Sequence, residues 1–580
     1  MGFFKKAQQA EFSVSEMPGN PDKEVRETDS LDVTGNRLNS GKLQSGVAKI
    51  EAATKVWSKA HLVAAYGMIW FIYFVKSIEE VVVFSMDPFV TSSFNKHSIT
   101  PAIDVVAIII GGLSYIPLAK ILDTWGRPQG LALTVWIWVI GLIMMAACNN
   151  VETFAAAKVF NTVGSQGVSY CVTIFIADTS SLLNRPLMLA FATSPYIVTT
   201  WIGGPVTEAV LAGPGWRWGF GIWTIITPVV ILPLSILFLY NDRKAVKAGL
   251  IERHTGWITL QDLWDYIIAI DFVGILLLAG GMALFLLPFS IWSYQEEQWR
   301  SPLIICMLVF GVVLLVLFVL WEKFLAPVQF VPYELLLDRT VFSAGVMFIF
   351  VFASSAIWGG FFYSMLLVVW DTGVTKATYI SNIYRVGSCF AALVIGVVVH
   401  KIGKFKWIST FYALPLTILG VGLMIKFRQA SEDIGFVIMT QIFIAFAGGP
   451  MVVAGEMAMM APSDHQHVAV IMAMLNLFCS IGSAVGSTVS SAIWTGTFRN
   501  ELIGNLPPGS PVDEIYGQIE KQTGYPVGSD MRAGIAAAYS QSQRYMLISS
   551  VCLLVVAWGC TWLWRDIKLN KIRQVSGTVA

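Results

Sequence analysis

Charge is scarce in this 580-residue sequence: Asp, Glu, Lys and Arg make up 13% of it, against 56% for hydrophobic residues. Soluble domains carry about twice that charged fraction, so composition alone excludes a soluble globule. Signatures of an energised or catalytic machine are also missing. There is no GxxxxGK[ST] loop for a nucleoside triphosphate, no CxxC pair with metal-ligand spacing and no nucleophile elbow. No enzyme and no resident cofactor or metal is expected, and uphill work would have to draw on an ion gradient. The seven cysteines (Cys148, Cys171, Cys306, Cys389, Cys479, Cys552, Cys560) lie in or beside hydrophobic stretches and read as free packing thiols. His465 and His467 are too few for a metal shell and read as part of a polar turn.

What is abundant is apolar sequence in windows long enough to cross a bilayer, and the mean hydropathy is +0.67. About fourteen such windows are expected, at 62–84, 102–121, 129–149, 154–176, 187–211, 218–240, 270–292, 301–322, 341–368, 377–400, 408–427, 435–460, 467–494 and 544–564. The predicted fold class is an all-α polytopic membrane protein.

Basic residues orient it. Lys120 and Arg127, then Arg243, Lys244, Lys247 and Arg253, then Lys401, Lys404 and Lys406, then Arg565, Lys568, Lys571 and Arg573 fall in alternate links. The links between them hold little more than Lys96, Arg300 and Lys376, with the Lys426–Arg428 link as the exception. On the positive-inside rule both termini are cytoplasmic. Residues 1–58 are polar, contain no apolar core of a cleavable signal and read as a disordered cytoplasmic tail. The expected organisation is a six-helix half at 59–240, a linker with two extra helices at 241–335, a second half at 336–565 and a short cytoplasmic tail at 566–580. Between the last two windows, residues 496–543 form a polar loop with paired prolines and three tyrosines, expected to face outside or into an organelle lumen.

Charges inside the apolar windows carry the chemistry. They are Lys76, Glu79, Glu80, Asp104, Lys158, Glu208, Arg385 and Glu456. A carboxylate in hydrocarbon either pairs with a cation or takes up a proton, which is the physical basis of a proton-coupled carrier. Lys76 and Glu80 are one turn apart and can neutralise each other, leaving Glu79 the freer acid. Glu79, Glu80 and Glu456 are the proton-coupling candidates. A buried Arg385 demands a partner, either a substrate oxygen or a carboxylate such as Glu456.

Between the second and third windows, AKILDTWGRP at 119–128 resembles the loop signature of the major facilitator superfamily through Asp123, Gly126 and Arg127, with Ala119 in place of the leading glycine. That likeness implies a conformational lock at these three residues. Gly203-Gly204-Pro205 resembles part of the superfamily's antiporter motif, interrupted by Glu208, and GWRW at 215–218 fits its fourteen-helix branch.

A narrower likeness rests on DPFVTSSF at 87–94, FIADTSSLLNR at 175–185, HQHVAV at 465–470 with SIGSAVGSTVSSAIWT at 480–495, and GYPVGS at 524–529 with Arg532 and AYSQSQR at 538–544. Together, in this order, they resemble the fungal siderophore–iron transporters, over about residues 60–565. His467 departs from that family's usual acidic residue, and Asp530 from a common proline. The resemblance implies a major facilitator fold of two pseudo-symmetric six-helix halves and two extra helices. It also implies proton-symport uptake of ferric chelates, of hydroxamate type, across the plasma membrane or an endosomal membrane. Iron is then cargo within the siderophore, and the partners are the ferric siderophore, protons and the lipid bilayer, with no nucleic acid and a monomeric carrier.

A bulky chelate needs a midplane cavity between the halves. The residues expected to wall it are Tyr73, Trp358, Tyr363, Asn382, Tyr384 and Arg385. In the polar loop, Tyr516, Tyr525, Arg532 and Tyr539 are candidates for a lid over the entrance, with a structured cap on the flanking helices as the competing reading. The same architecture also suits a drug/proton antiporter, a carrier of another iron ligand such as haem, or a non-transporting nutrient receptor.

Overall fold

A computed structural model describes residues 57–94, 97, 100–124, 126–180, 183–248, 260–292, 295–327, 337–462 and 468–569. The tail expected at 1–58, all but its last two residues, lies outside them, as do the His465–His467 turn, residues 570–580 and the side chain of Asp123. No strand occurs among the described residues.

The chain folds into long helices separated by short turns. They are α1 (Lys59–Ser93), α2 (Thr100–Thr124), α3 (Arg127–Ala147), α4 (Val151–Thr179), α5 (Arg185–Thr193), α6 (Tyr196–Ala212) and α7 (Trp216–Lys247). Next come α8 (Leu260–Ala269), α9 (Phe272–Leu286), α10 (Pro288–Ile291), α11 (Pro302–Leu320), α12 (Arg339–Gly359), α13 (Phe362–Val369), α14 (Gly373–Ser381) and α15 (Ile383–Ile402). The last are α16 (Leu414–Phe427), α17 (Ile434–Met460), α18 (Val468–Asn505), α19 (Val512–Gly517), α20 (Ile519–Gly524) and α21 (Asp530–Trp562). Polar residues start several of them: Asn150 Oδ1 accepts from Thr153 N–H at 2.7 Å, and Asp338 Oδ1 from Thr340 N–H at 2.7 Å.

Among the described residues, thirteen segments are long and apolar enough to cross a membrane, counting α5–α6, α9–α10, α12–α13 and α14–α15 as interrupted single spans. Helix α1 stands outside that set and carries Lys76, Glu79 and Glu80, yet its 35 residues exceed the length a bilayer requires. Helix α11 shows what solvent the bundle needs. Only 11% of its most apolar window is buried by protein, and Val309, Phe310, Val316 and Val319 all face outward. In water that face would drive aggregation; in lipid it is neutral.

Helices α2, α3 and α4 pack side by side, and α1 lies against α6 and α7. Farther along the chain α12 packs on α18 and α21, and α17 on α15 and α16. Two seams join these groups: α2 runs against α18, and α5 and α6 run against α14 and α15. The α9–α11 hairpin packs on itself and touches the rest through α2 and α18. At the α12–α18 contact the glycines of SIGSAVGSTVSS serve packing. A β-carbon on Gly482 would collide with the Ile349 carbonyl, and one on Gly486 with that of Ala353.

The polar stretch at 496–543 is mostly helix, which corrects the expectation of a loop of that length. Residues up to Asn505 continue α18, and α21 begins at Asp530, so the link shrinks to 506–529 with α19 and α20 inside it. Both long helices run beyond the apolar windows because their polar residues pair with each other: Thr497 Oγ1 donates to Ser542 Oγ at 3.1 Å.

This link closes over a small core of its own. Ile515 and Ile519 are buried against Trp494, Phe498 and Tyr539. Tyr539 OH donates to Gln522 Oε1 at 2.7 Å, and its ring meets Trp494 and Phe498 edge-on. Arg532 is 3% exposed and spends its guanidinium on the carbonyls of Val368 (2.6 Å), Gln522 (2.8 Å), Tyr525 (3.3 Å) and Leu367 (3.2 Å) and on Asp371 Oδ1 (3.0 Å). Tyr516 packs beside Phe498, and Tyr525 is half-buried. Arg532 and Tyr539 are thus committed to the cap's interior and cannot reach a ligand without unfolding it. Replacing Arg532 with Ala orphans several buried carbonyls; the expected loss is on the order of 3 kcal/mol, read as a lowered Tm of the purified protein.

Candidate functional site

Helix α1 brings a row of polar residues into the bundle at helical spacing, Tyr73, Lys76, Ser77 and Glu80, with Glu79 turned to a different neighbour. Glu80 is the centre. Its Oε1 pairs with Lys76 Nζ one turn back, and its Oε2 pairs with Arg385 Nη2 of α15. Tyr196 OH of α6 donates to the same Oε2 at 3.0 Å, while its ring lies 4.2 Å from Arg385 Cζ. One carboxylate therefore binds α1, α6 and α15 together. Tyr73 completes the cluster by meeting Tyr196 edge-on at 6.3 Å. The side chains of Arg385 and Glu80 are 31% and 23% exposed, so the pair is only partly enclosed by side chains.

Glu79 is different. At 2% exposure it faces α4, where Asn161 Nδ2 donates to it at 3.3 Å. The carboxylate that pairs and the carboxylate that does not are consecutive residues on two faces of one helix.

Arg385 owes its position to a helix break. Asn382 closes α14, its Nδ2 donating to Thr378 O at 2.9 Å, and α15 starts at the next residue. A cation in the first turn of a helix opposes the dipole, and Glu80 supplies the compensating charge.

The expected Arg385–Glu456 pair does not form. Ser388 Oγ donates to Ala445 O at 3.1 Å, which fixes the register of α15 against α17. Glu456 lies eleven residues beyond Ala445, about 16 Å along the helix, and out of reach. It is half-buried and has no hydrogen bond or ion pair among the described residues.

The other candidates divide. Trp358 meets Tyr384 edge-on at 5.4 Å, adjacent in the chain to Arg385. Tyr363 lies nearer the cap, its hydroxyl 3.5 Å from Thr378 Oγ1 and its ring edge-on to Phe84. Asn382 serves the helix break. The lid candidates Tyr516, Tyr525, Arg532 and Tyr539 belong to the cap and are not part of this cluster.

Three further charge groups settle where the sequence left them open. Lys158 pairs with Asp87 and stands 3.6 Å from Asp104 Oδ1, tying α4 to α1 and α2. Glu208 accepts from Thr375 Oγ1 across the α6–α14 seam, where Gly204 allows close approach to the Thr375 backbone. In the signature at 119–128, Gly126 has φ +119°, which favours glycine, and Arg127 Nη2 lies 3.2 Å from Asp178 Oδ2. Asp178 and Arg185 escaped the sequence reading as individual residues, although FIADTSSLLNR contains both. Arg185 is fully buried, with Nη2 on Ala177 O at 3.0 Å and Nη1 3.7 Å from Met460 Sδ on α17.

If Glu80 and Arg385 act as one unit, Glu80→Gln and Arg385→Gln are non-additive. A double-mutant cycle on thermal unfolding is expected to give a coupling of about 1–2 kcal/mol, and additivity within error would refute the shared carboxylate.

Comparison with known proteins follows this geometry. Residues 68–323 match the family model of the Major Facilitator Superfamily. Helical transporters of known structure share the fold. A bacterial homologue of the human lysosomal transporter Spinster, inward-facing and occupied, aligns over 87% of this chain and 97% of its own at TM-score 0.50 and 13% identity. A peptide transporter POT aligns over 89% and 99% at TM-score 0.52 and 12% identity. Much nearer in sequence is an MFS siderochrome iron transporter 1 of Ajellomyces capsulatus, 51% identical over 93% of this chain and 92% of its own. MFS siderochrome iron transporter D of Aspergillus fumigatus is 41% identical over 93% and 90%, and siderophore iron transporter mirB of Emericella nidulans 37% over 93% and 90%. With its all-helical span and relatives matched along nearly their whole length, the chain belongs to the fungal siderophore–iron transporters of the major facilitator superfamily.

Proposed function

We propose that this protein imports ferric siderophores, of hydroxamate type, by proton symport. The observation that carries the reading is Glu80, a partly enclosed carboxylate shared by cations of α1 and α15, beside the sequestered Glu79. A ferric hydroxamate presents an oxygen-rich surface, and its oxygens are acceptors that compete with Glu80 for Arg385. Drawing Arg385 away releases the α1–α15 tie, leaves Lys76 to neutralise Glu80 and frees the two halves to rock about the midplane. Tyr73, Tyr196, Trp358 and Tyr384 provide flat walls for the chelate. Proton uptake falls to Glu79, with Glu456 as the second acid, because neither has a cation to hold its charge in hydrocarbon. Iron stays inside the chelate throughout and the protein supplies it no ligand.

On the positive-inside rule both termini are cytoplasmic and the cap at 506–529 faces outside or an endosomal lumen, with the carrier acting as a monomer. Asp123, Gly126 and Arg127, with Asp178, form the lock at the opposite face.

Expression in yeast lacking its own siderophore uptake tests the reading with radiolabelled iron on a panel of hydroxamate chelates. Wild-type protein is expected to accumulate iron, and a protonophore to stop it. Arg385→Ala is expected to abolish uptake with surface expression intact, and Glu79→Gln to reduce accumulation about tenfold or more. Accumulation indifferent to the protonophore would replace symport with facilitated passage or export.

A further inference from the structure

Arg428 is the residue that broke the charge pattern of the sequence, a basic side chain in a link predicted to face outside. The structure separates it from its companion: Lys426 is exposed, and Arg428 is fully buried. It caps α16, its N–H on Met424 O at 2.9 Å, and its guanidinium turns inward to the break between α12 and α13. Nη1 donates to Trp358 O at 2.6 Å, and Cζ lies 3.8 Å from the centre of the Phe362 ring. Nε and Nη2 are buried with no hydrogen-bond partner, and no carboxylate pairs with the guanidinium among the described residues. Asp433, a nearby acid in the chain, is instead spent on capping α17 through Gly435 N–H at 2.7 Å.

The break joins two helix ends of opposite sign, the negative C-terminus of α12, where Arg428 takes the Trp358 carbonyl, and the positive N-terminus of α13. Helix α12 ends at Gly359, and Phe361 adopts φ +56°, a left-handed conformation costing a side-chain-bearing residue about 1–2 kcal/mol. Its ring stacks on Trp494 at 3.9 Å, which holds it there. Helix α13 begins at Phe362, beneath the guanidinium, and the first N–H groups of a helix carry positive potential and have no carbonyl of their own. Around the break the unpaired atoms are mostly donors. Ser490 lies against Gly360, and its hydroxyl is buried without a partner, as is Trp494 Nε1. Gln543 donates from Nε2 to Gly360 O at 2.9 Å; its Oε1 is an unpaired acceptor, so donors outnumber acceptors.

An acid-free guanidinium in a dry interior is costly, and a helix N-terminus beside it adds to the cost. Both are met by one negative ion. Arg428 is fully enclosed and the Phe362 ring covers one face of its guanidinium, so a ligand there has to be small. We propose that Arg428 and the α12–α13 break form a binding site for one monovalent inorganic anion, chloride in ordinary media. The site is separate from the Glu80–Arg385 cluster and does not depend on what the carrier transports.

The test is equilibrium binding of radiolabelled chloride to the purified full-length protein in gluconate buffer, alongside its Tm in chloride and in gluconate. Saturable binding of about one ion per chain, with a higher Tm in chloride, is expected. Arg428→Gln keeps a donor for Trp358 O but removes the charge, and is expected to weaken chloride binding about tenfold or more. Arg217→Gln, which removes an arginine bonded to the Cys148 carbonyl at the surface, is expected to bind chloride as wild type does. If Arg428→Gln yields no folded protein, Arg428→Lys takes its place, with weaker binding expected because the fork of donors is lost. Absence of saturable chloride binding to the wild type, or binding unchanged in the Arg428 variant, overturns the proposal.

Discussion

A carboxylate inside a helix bundle that lipid surrounds must find cations or take up a proton, and Glu80 meets that demand with donors from three helices. Much of the interior arrangement depends on it. The break at Asn382 is tolerable because it delivers Arg385 to Glu80, and a cation so near a helix N-terminus is tolerable because Glu80 answers it. Tyr196 is placed by the same carboxylate and shields the guanidinium with its ring. The tie crosses from α1 to α15, so a single ion pair fastens residues 305 positions apart in the chain.

The other buried charges obey the same rule by different means. Lys158 is matched by two aspartates, Arg127 by Asp178, and Arg532 by a ring of carbonyls with Asp371. Among the described residues Glu79 forms no salt bridge and accepts from the neutral amide of Asn161, and Glu456 has no hydrogen bond or ion pair. Structural charges are those with matched partners; Glu208, held by a hydroxyl, joins Glu79 and Glu456 in having no salt-bridge cation among the described residues.

Local features were legible in the sequence and pairings across the chain were not. Apolar windows marked the helices because lipid demands about 20 apolar residues per crossing. The Lys76–Glu80 pair was legible because its spacing is helical. Arg385 was recognisable as a buried cation needing an acid, yet nothing local distinguishes Glu80, 305 positions away, from Glu456, which is nearer in the chain but stands about 16 Å along α17 from Ala445, the residue that Ser388 meets. The polar run at 496–543 misled for a related reason. Its polarity was real, but helices α18 and α21 leave the apolar region together and bond to each other, so polarity there marks a helix pair in place of a loop. Arg428 reads as a loop charge until the Trp358 carbonyl and the Phe362 ring are seen around it.

The α9–α11 hairpin has a consequence of parity. It is joined to the bundle along α2 and α18, while α11 turns almost wholly to lipid. A pair of crossings, unlike a single one, returns the chain to the side it left. Such a hairpin can be gained or lost between α7 and α12 without inverting any later helix, so the seams of α2 with α18 and of α6 with α14 keep their sense whether the bundle has it or not. Number of crossings and handedness of assembly are thereby uncoupled, which lets architectures of different helix count share one set of interior contacts.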